Sequence, residues 1–261
     1  MIALPFNKYQ GAGNDFVIID NRNSVFNPDD HEVISRMCDR RFGIGADGLI
    51  LINKYEGLDF EMVYFNADGY VGSMCGNGGR CTADFAVRHG IAGKHMRFKA
   101  YDGIHEAFTG NGTIRLQMSD INSFSIVNES YFINTGSPHY VLFRKDIATL
   151  DVYNEGKRIR QSDDFKPGGT NVNFVEKEDN GIYVRTFERG VEDETLSCGT
   201  GVTASAIASV LSGQFVSSPV NVRTRGGDLK VEFSVKGKQI TNIWLSGPAT
   251  FVFEGTYLIQ K

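Results

Sequence analysis

Hydrophobic and polar positions alternate over two long stretches of this chain. Ile114, Leu116 and Met118 are separated by Arg115 and Gln117, while Leu229, Val231, Phe233 and Val235 are separated by Lys230, Glu232 and Ser234. A period of two places every apolar side chain on one face, the signature of antiparallel strands with one buried side. Glycine-containing turns recurring about every ten residues suggest a curled sheet. Helical spacing appears in three places. From about Gly199 to Ser212 the chain carries no charge, with Val202, Ala204, Ala206, Ile207, Ala208, Val210 and Leu211 set among Thr and Ser, and Gly213 follows. A helix apolar on every side is a buried helix, and this one is too short to span a bilayer. A second helix is expected from about Asn77 to His89, stopped by Gly90. A third has Asn27 as its N-cap, Pro28 at its first position and Val33, Ile34, Met37 and Cys38 as its stripe, with Gly43 past its end.

These elements come in two sets. Gly13-Asn14-Asp15-Phe16-Val17-Ile18 parallels Gly136-Ser137-Pro138-His139-Tyr140-Val141; Phe65-Asn66-Ala67-Asp68-Gly69 parallels Phe187-Glu188-Arg189-Gly190; Met74-Cys75-Gly76-Asn77-Gly78 parallels Ser197-Cys198-Gly199-Thr200-Gly201. Gly13 precedes Cys75 by 62 residues, and Gly136 precedes Cys198 by the same 62 (75 − 13 and 198 − 136). A further turn follows each cysteine, at Asp102-Gly103 and Gly226-Gly227-Asp228. Chance similarity of glycine turns does not hold one offset across four landmarks, so the chain is read as a duplication. The expected fold is α+β, with two pseudo-symmetric domains, each a mostly antiparallel, barrel-like sheet wrapped round a central helix. The N-terminal half is placed at 1–119, joined by a last strand at 250–261, and the C-terminal half at 120–249.

Composition narrows the class. The net charge of −4 is spread without a basic block, which gives no footprint for nucleic acid or an anionic membrane. The start of the chain does not read as a secretory signal, and no run of about 18 apolar residues marks a membrane span. A cytoplasmic protein is expected, so cysteines 38, 75, 81 and 198, which form no CxxC pair, are expected as reduced thiols.

Cys38 lies on the stripe of its helix and Cys81 inside the expected buried helix, so both read as core residues. Cys75 and Cys198 differ: each precedes Gly-X-Gly where a loop becomes a helix. Unsatisfied N–H groups and partial positive charge at a helix start favour thiolate, and the glycines let backbone approach an anion such as a carboxylate. Two equivalent units would turn these helix starts toward one cleft. A thiolate there would remove a proton from carbon while the opposite thiol returns one, inverting a stereocentre. The competing reading of the same pair is a nucleophile and resolver in a thiol sensor or ligand-binding module. A nucleotide-binding reading rests on Gly43-Ile44-Gly45-Ala46-Asp47-Gly48, which matches GxGxxG. Its context is reversed, with a helix before and an apolar strand-like run after.

At Lys8-Tyr9-Gln10-Gly11-Ala12-Gly13-Asn14-Asp15-Phe16, the Phe65 and Cys75 segments, and Glu188-Arg189-Gly190 running into Glu194-Thr195-Leu196-Ser197-Cys198-Gly199-Thr200-Gly201, the sequence resembles the diaminopimelate epimerase family over essentially its whole length. The resemblance implies an isomerase that needs neither PLP nor a metal, so no cofactor, and that interconverts L,L- and meso-diaminopimelate in lysine and peptidoglycan precursor synthesis. It implies a homodimer. It implies Cys75 and Cys198 as the acid/base pair; Gly76, Asn77, Gly199 and Thr200 as the cradle for the reacting carboxylate; and Asn14, Asn66, Asn171, Glu188 and Arg189 as the groups that hold the substrate. His139, by itself an ordinary residue after Pro138, and Glu188 resemble residues that tune the thiols. The chain departs from the family pattern at Gly48, where Gln is common, and at Ser137, where Asn is common. Proline racemases and phenazine-pathway isomerases share the superfamily. The former usually carry His where Asn77 stands, and the latter lack the cysteine pair.

Overall fold

The computed structural model describes residues 2–215 and 217–259. The chain divides into two compact units, one that runs to Leu116 and resumes at Pro248, and one formed by Gln117–Gly247. The first unit contains β1 (Ile2–Gly11), β2 (Asn14–Asp20), α1 (His31–Cys38), β3 (Gly48–Asn53), β4 (Phe60–Asn66), α2 (Gly76–Arg88), β5 (His95–Ala100), β6 (Gly103–Gly110) and β7 (Thr113–Gln117, whose last residue crosses the boundary). The second contains β8 (Phe124–Val127), β9 (Ser130–Asn134), β10 (Pro138–Phe143), α3 (Val152–Arg160), β11 (Asn171–Glu178), β12 (Gly181–Glu188), β13 (Asp193–Thr195), α4 (Gly199–Leu211), β14 (Val220–Thr224), β15 (Gly227–Lys236) and β16 (Gln239–Gly247). The chain then returns to the first unit as β17 (Thr250–Ile259), antiparallel to β1 with Ile2 opposite Ile259.

The two units repeat one pairing scheme. In the first, β2 pairs β3 in parallel, β3 pairs β4 antiparallel, β4 pairs β5 in parallel, and β5, β6 and β7 form an antiparallel meander. In the second, the matching steps are β10 with β11, β11 with β12, β12 with β14, and β14 through β16. Antiparallel pairing predominates, as the alternation predicts, with two parallel steps in each unit. The backbone repeats as well: Gly13 and Gly136, Gly69 and Gly190, Gly90 and Gly213, and Gly103 and Gly227 all have positive φ. At Gly69 the left-handed conformation closes the turn after β4, and an added Cβ would lie 2.2 Å from the His31 carbonyl, so a side chain fits neither the conformation nor the space.

Each unit is wrapped round one helix. α2 touches β1, β2, β3, β4, β6 and β17, and α4 touches β9, β10, β11, β12, β14 and β15. Every residue of α4 from Gly199 to Ser209 is buried, as its lack of charge predicts. α1 covers the outer face of the first sheet through Ile34, Met37 and Cys38 against Val17, Ile19, Leu49 and Leu51, and α3 covers the second through Val152 and Ile159 against Val172, Phe174 and Phe187. The parallel strands between inner and outer helices are buried on both faces, which is why Phe16–Ile19 and Leu49–Ile52 are unbroken apolar runs instead of alternating ones.

Two expectations need correction. The helix expected from Asn27 begins at His31, because the Asn27 carboxamide accepts from the Asp29 N–H and makes 27–30 a turn. The same helix ends at Cys38, where the Asp39 carboxylate takes the Arg41 and Phe42 N–H groups. Val235 is exposed although Leu229, Val231 and Phe233 are buried, because the β15–β16 register shifts between Glu232 and Ser234.

Candidate active site

Cys75 is the N-cap of α2 and Cys198 is the N-cap of α4. Their backbones match closely: φ −109, ψ 113 at Cys75 and φ −115, ψ 112 at Cys198. Each carbonyl opens its helix with a 2.8 Å bond, from Gly79 N–H to Cys75 and from Val202 N–H to Cys198. Gly78 and Gly201, three residues after the cysteines, have no room for a side chain. At Gly78 a Cβ would press on Ile50 at 3.1 Å and Met62 at 3.3 Å, and at Gly201 it would lie 2.4 Å from Asn173 Oδ1. These contacts seat each cysteine against the inner face of its own sheet.

In the first unit the Cys75 sulfur lies 3.5 Å from the Gly78 N–H and 3.4 Å from Asn14 Oδ1. The orientation of the Asn14 amide is fixed from both sides. Its Nδ2 donates to Asp47 Oδ2 at 2.6 Å, and its Oδ1 accepts from Asn77 Nδ2 at 3.4 Å. Asn77 is fixed in turn, since its Oδ1 accepts from the Arg80 guanidinium at 2.8 Å. Arg80 is fully buried and also donates to the carbonyls of Gly76 and Pro248. Behind Asn14, Asp15 and Asp47 share Arg40, and Lys8 pairs with Asp15 at 2.6 Å. Burial alone would raise the Asp15 carboxyl, but hydrogen bonds from Arg40 and Lys8 outweigh it and hold the group at about 2. Asn66 ends β4, exposed and opposite Gly48 of β3. A Cβ at Gly48 would sit 2.4 Å from both the Phe65 carbonyl and the Tyr64 ring, so the space a longer side chain would need holds Tyr64.

In the second unit the Cys198 sulfur lies 3.4 Å from the Thr200 hydroxyl, and both residues are buried. Thr200 Oγ1 meets His139 Nε2 at 2.9 Å, and its carbonyl accepts from Thr135 Oγ1 at 2.9 Å. His139 is fully buried, and that burial pushes its imidazole down to about 3, with the Arg189 charge acting in the same direction. His139 is therefore neutral near pH 7. Asn171 is buried and internally bonded: its Nδ2 donates to Ser137 Oγ at 2.9 Å and to the Pro138 carbonyl at 2.8 Å, and its Oδ1 accepts from the Arg189 N–H at 2.8 Å. It ties the loop before β10 to the turn after β12, where Glu188 is half-buried and Arg189 exposed.

The residues that the resemblance points to thus fall into two groups. Asn14, Asn66, Cys75, Gly76 and Asn77 belong to the first unit, and His139, Asn171, Glu188, Arg189, Cys198, Gly199 and Thr200 to the second. Cys38 and Cys81 are buried free thiols away from helix starts, and burial pushes Cys38 up to about 12 and Cys81 upward. Sequence reasoning gave no role to Asp47, Arg40, Arg80, Asn173 or Thr186. One visible signal was the polar pair Asn171 and Asn173 in the otherwise apolar run Asn171-Val172-Asn173-Phe174-Val175.

The family model described as Diaminopimelate epimerase matches residues 6–120 and 131–252. A relative named Diaminopimelate epimerase from Flavobacterium psychrophilum is 49% identical over 251 residues, covering 95% of this chain and 98% of its own length. One of the same name from Chlorobaculum tepidum is 47% identical over 256 residues, covering 94% and 98%. Among solved structures, a phenazine biosynthesis protein from Bacillus anthracis matches with TM-score 0.77 and 16% identity, covering 99% of this chain and 100% of that one. A hydroxyproline epimerase from Agrobacterium vitis matches with TM-score 0.69 and 11% identity, covering 98% and 92%. At such low identity these two structures speak for the fold alone.

Proposed function

The chain belongs to the diaminopimelate epimerase family, and we propose that it interconverts L,L- and meso-diaminopimelate by proton transfer between two thiols at the α-carbon. One cysteine, as thiolate, removes the α-proton. The other, as thiol, delivers a proton to the opposite face of the same carbon. Each turnover leaves the protonation of the pair exchanged, and no electron changes hands. The carbanion is the difficult species, and its charge spreads into the α-carboxylate. The N–H groups that open α2 and α4, at Gly76, Asn77, Gly199 and Thr200, stabilise that charge without having to reorganise.

The observation that carries this reading is the repeated N-cap: two cysteines with one backbone geometry, each at the start of the buried helix of its unit. Arg189 is exposed at the end of β12, suited to the distal carboxylate by a forked ion pair. Asn14, Asn66, Asn171 and Glu188 complete the substrate contacts, and His139 and Glu188 adjust the thiols. The catalytic halves are 1–119 with 250–261, carrying Cys75, and 120–249, carrying Cys198. The enzyme works without PLP or metal, as a homodimer in the cytoplasm, and feeds lysine and peptidoglycan precursor synthesis. No helix among the described residues is long and apolar enough to cross a membrane.

Turnover in heavy water tests the mechanism. Each product molecule should carry solvent deuterium at the α-carbon, and Cys75→Ala and Cys198→Ala should each lose epimerisation. Full activity in either variant would refute the two-thiol reaction. A thiol sensor or a simple binding module would incorporate no deuterium.

A further inference from the structure

The repeat gives each unit a built-in comparison. By strand register, Phe16 beside Gly48 in the first unit corresponds to His139 beside Asn171 in the second. Ile50 opposite Tyr64 corresponds to Asn173 opposite Thr186. The helix starts agree, since Gly78 rests on Ile50 and Gly201 rests on Asn173. The layer beneath Cys75 is thus built from Phe16 and Ile50, both fully buried, whereas the same layer beneath Cys198 holds His139, Asn173 and Thr186, buried at 0%, 0% and 3% exposure. Polar side chains at such depth are costly unless every hydrogen bond is made. The second unit keeps His139 and Asn173 where the first shows that apolar residues suffice, Phe16 and Ile50.

The directions of the bonds follow from a fixed end. The Tyr140 carbonyl can only accept, so the Asn173 group 3.3 Å away is its NH2. That amide's Oδ1 then takes the Thr186 hydroxyl at 3.0 Å, and its second N–H meets His139 Nδ1 at 3.1 Å. The neutral imidazole therefore accepts at Nδ1 and carries its proton on Nε2, which donates to Thr200 Oγ1. With one lone pair of its oxygen taken by His139, the Thr200 hydroxyl keeps its own proton available for the Cys198 sulfur 3.4 Å away.

We infer that Asn173 is a positioning residue which, through His139 and Thr200, aims a hydroxyl proton at Cys198 and favours its thiolate form. Among the described residues, His139 on β10 and Glu188 and Arg189 at the end of β12 stand on this side of the site as titratable or charged groups, and α4 has no charged residue. Around Cys75 stand the Asn14 carboxamide oxygen, an acceptor, and the Gly78 N–H, a backbone donor, with the buried Arg80 charge also favouring the thiolate. The inference deepens the two-thiol reading, but its test uses the substrate-free protein and does not depend on turnover.

Nitrogen-15 NMR of labelled histidine at neutral pH should show His139 protonated on Nε2 and bare on Nδ1. The pH dependence of iodoacetamide labelling, read separately for each cysteine by mass spectrometry, gives the second measurement. Thr200→Val should slow labelling of Cys198 at pH 7 about tenfold, the worth of one hydrogen bond to a charged group, and move its profile to higher pH. Thr200→Ser should restore the wild-type profile, and the Cys75 profile should stay unchanged in both. Asn173→Leu should shift Cys198 in the same direction as Thr200→Val. A His139 proton on Nδ1, or an unchanged Cys198 profile in Thr200→Val, would overturn the inference. If the NMR and labelling results hold while deuterium incorporation fails, the wiring stands and the epimerase reading falls.

Discussion

Gly48→Ala is the smallest perturbation that tests how β3 and β4 meet beside the site. The added Cβ would lie 2.4 Å from the Phe65 carbonyl oxygen, 2.4 Å from Tyr64 Cε2 and 2.9 Å from Tyr64 Cζ. The two obstacles differ in kind. The Tyr64 ring can rotate away, at the loss of its edge contact with Phe16, whose ring centroid is 6.0 Å from its own. The Phe65 carbonyl is backbone in a register-locked strand and moves only if the β3–β4 ladder moves with it. Overpacking of this kind costs about 1–3 kcal/mol, and the backbone obstacle puts the expected loss in the upper half of that range. At roughly 2–4 °C per kcal/mol for a chain of this size, Tm should fall by roughly 5–10 °C. Scanning calorimetry of wild type, Gly48→Ala, Tyr64→Ala and the double variant gives a full cycle. Part of the Gly48→Ala penalty should disappear once Tyr64 is cut back, and the part owed to Phe65 should remain. A Gly48→Ala protein that melts within a degree of wild type would refute the reasoning, as would a cycle in which Tyr64→Ala removes the whole penalty.

Two further outcomes follow from groups near the cysteines. The folded-state pKa of Asp15 lies below its ordinary value, at about 2, so its contribution is present above the unfolded pKa near 4 and is lost as pH falls through about 2. Asp15→Asn should therefore destabilise the protein by up to about 2 kcal/mol at pH 7, with the gap to wild type closing between about pH 5 and pH 2 in urea titrations; a gap independent of pH would contradict the ion-pair account. Native labelling at pH 8 should leave Cys38 and Cys81 unmodified while Cys75 and Cys198 react, because burial holds the first two thiols protonated; mass spectrometry showing Cys38 labelled as fast as Cys75 would contradict it.

The repeat was legible because the positions that define it are those where the backbone leaves little choice. Gly13, Gly69, Gly90 and Gly103, with their partners in the second unit, hold left-handed or otherwise unusual backbone, so glycine marks them in the sequence itself. The central helices were legible from the uncharged run at 199–212 and its counterpart. What stayed hidden depends on partners far away in sequence. The resemblance gives Asn171 a substrate role, and only the fold adds that its amide is bonded to Ser137, Pro138 and Arg189. Arg80 lies in a helix expected to be buried, and only the fold shows what its guanidinium meets there: Asn77, Gly76 and Pro248. Asn27 and Pro28 carry good helix-start chemistry, yet a local turn bond outcompeted the helix there. The network below Cys198 could be suspected from two asparagines two apart in a strand, but its direction required the Tyr140 carbonyl.

The pairing of β1 with β17 bears on how the molecule is made. The Gln117–Gly247 unit is one uninterrupted stretch and has all its strands once that stretch has left the ribosome. The other unit waits with an open β1 edge until the final strand emerges, so during synthesis the later-encoded unit is completed first. Removing β17 should injure the unit that holds β1 and spare the Gln117–Gly247 unit.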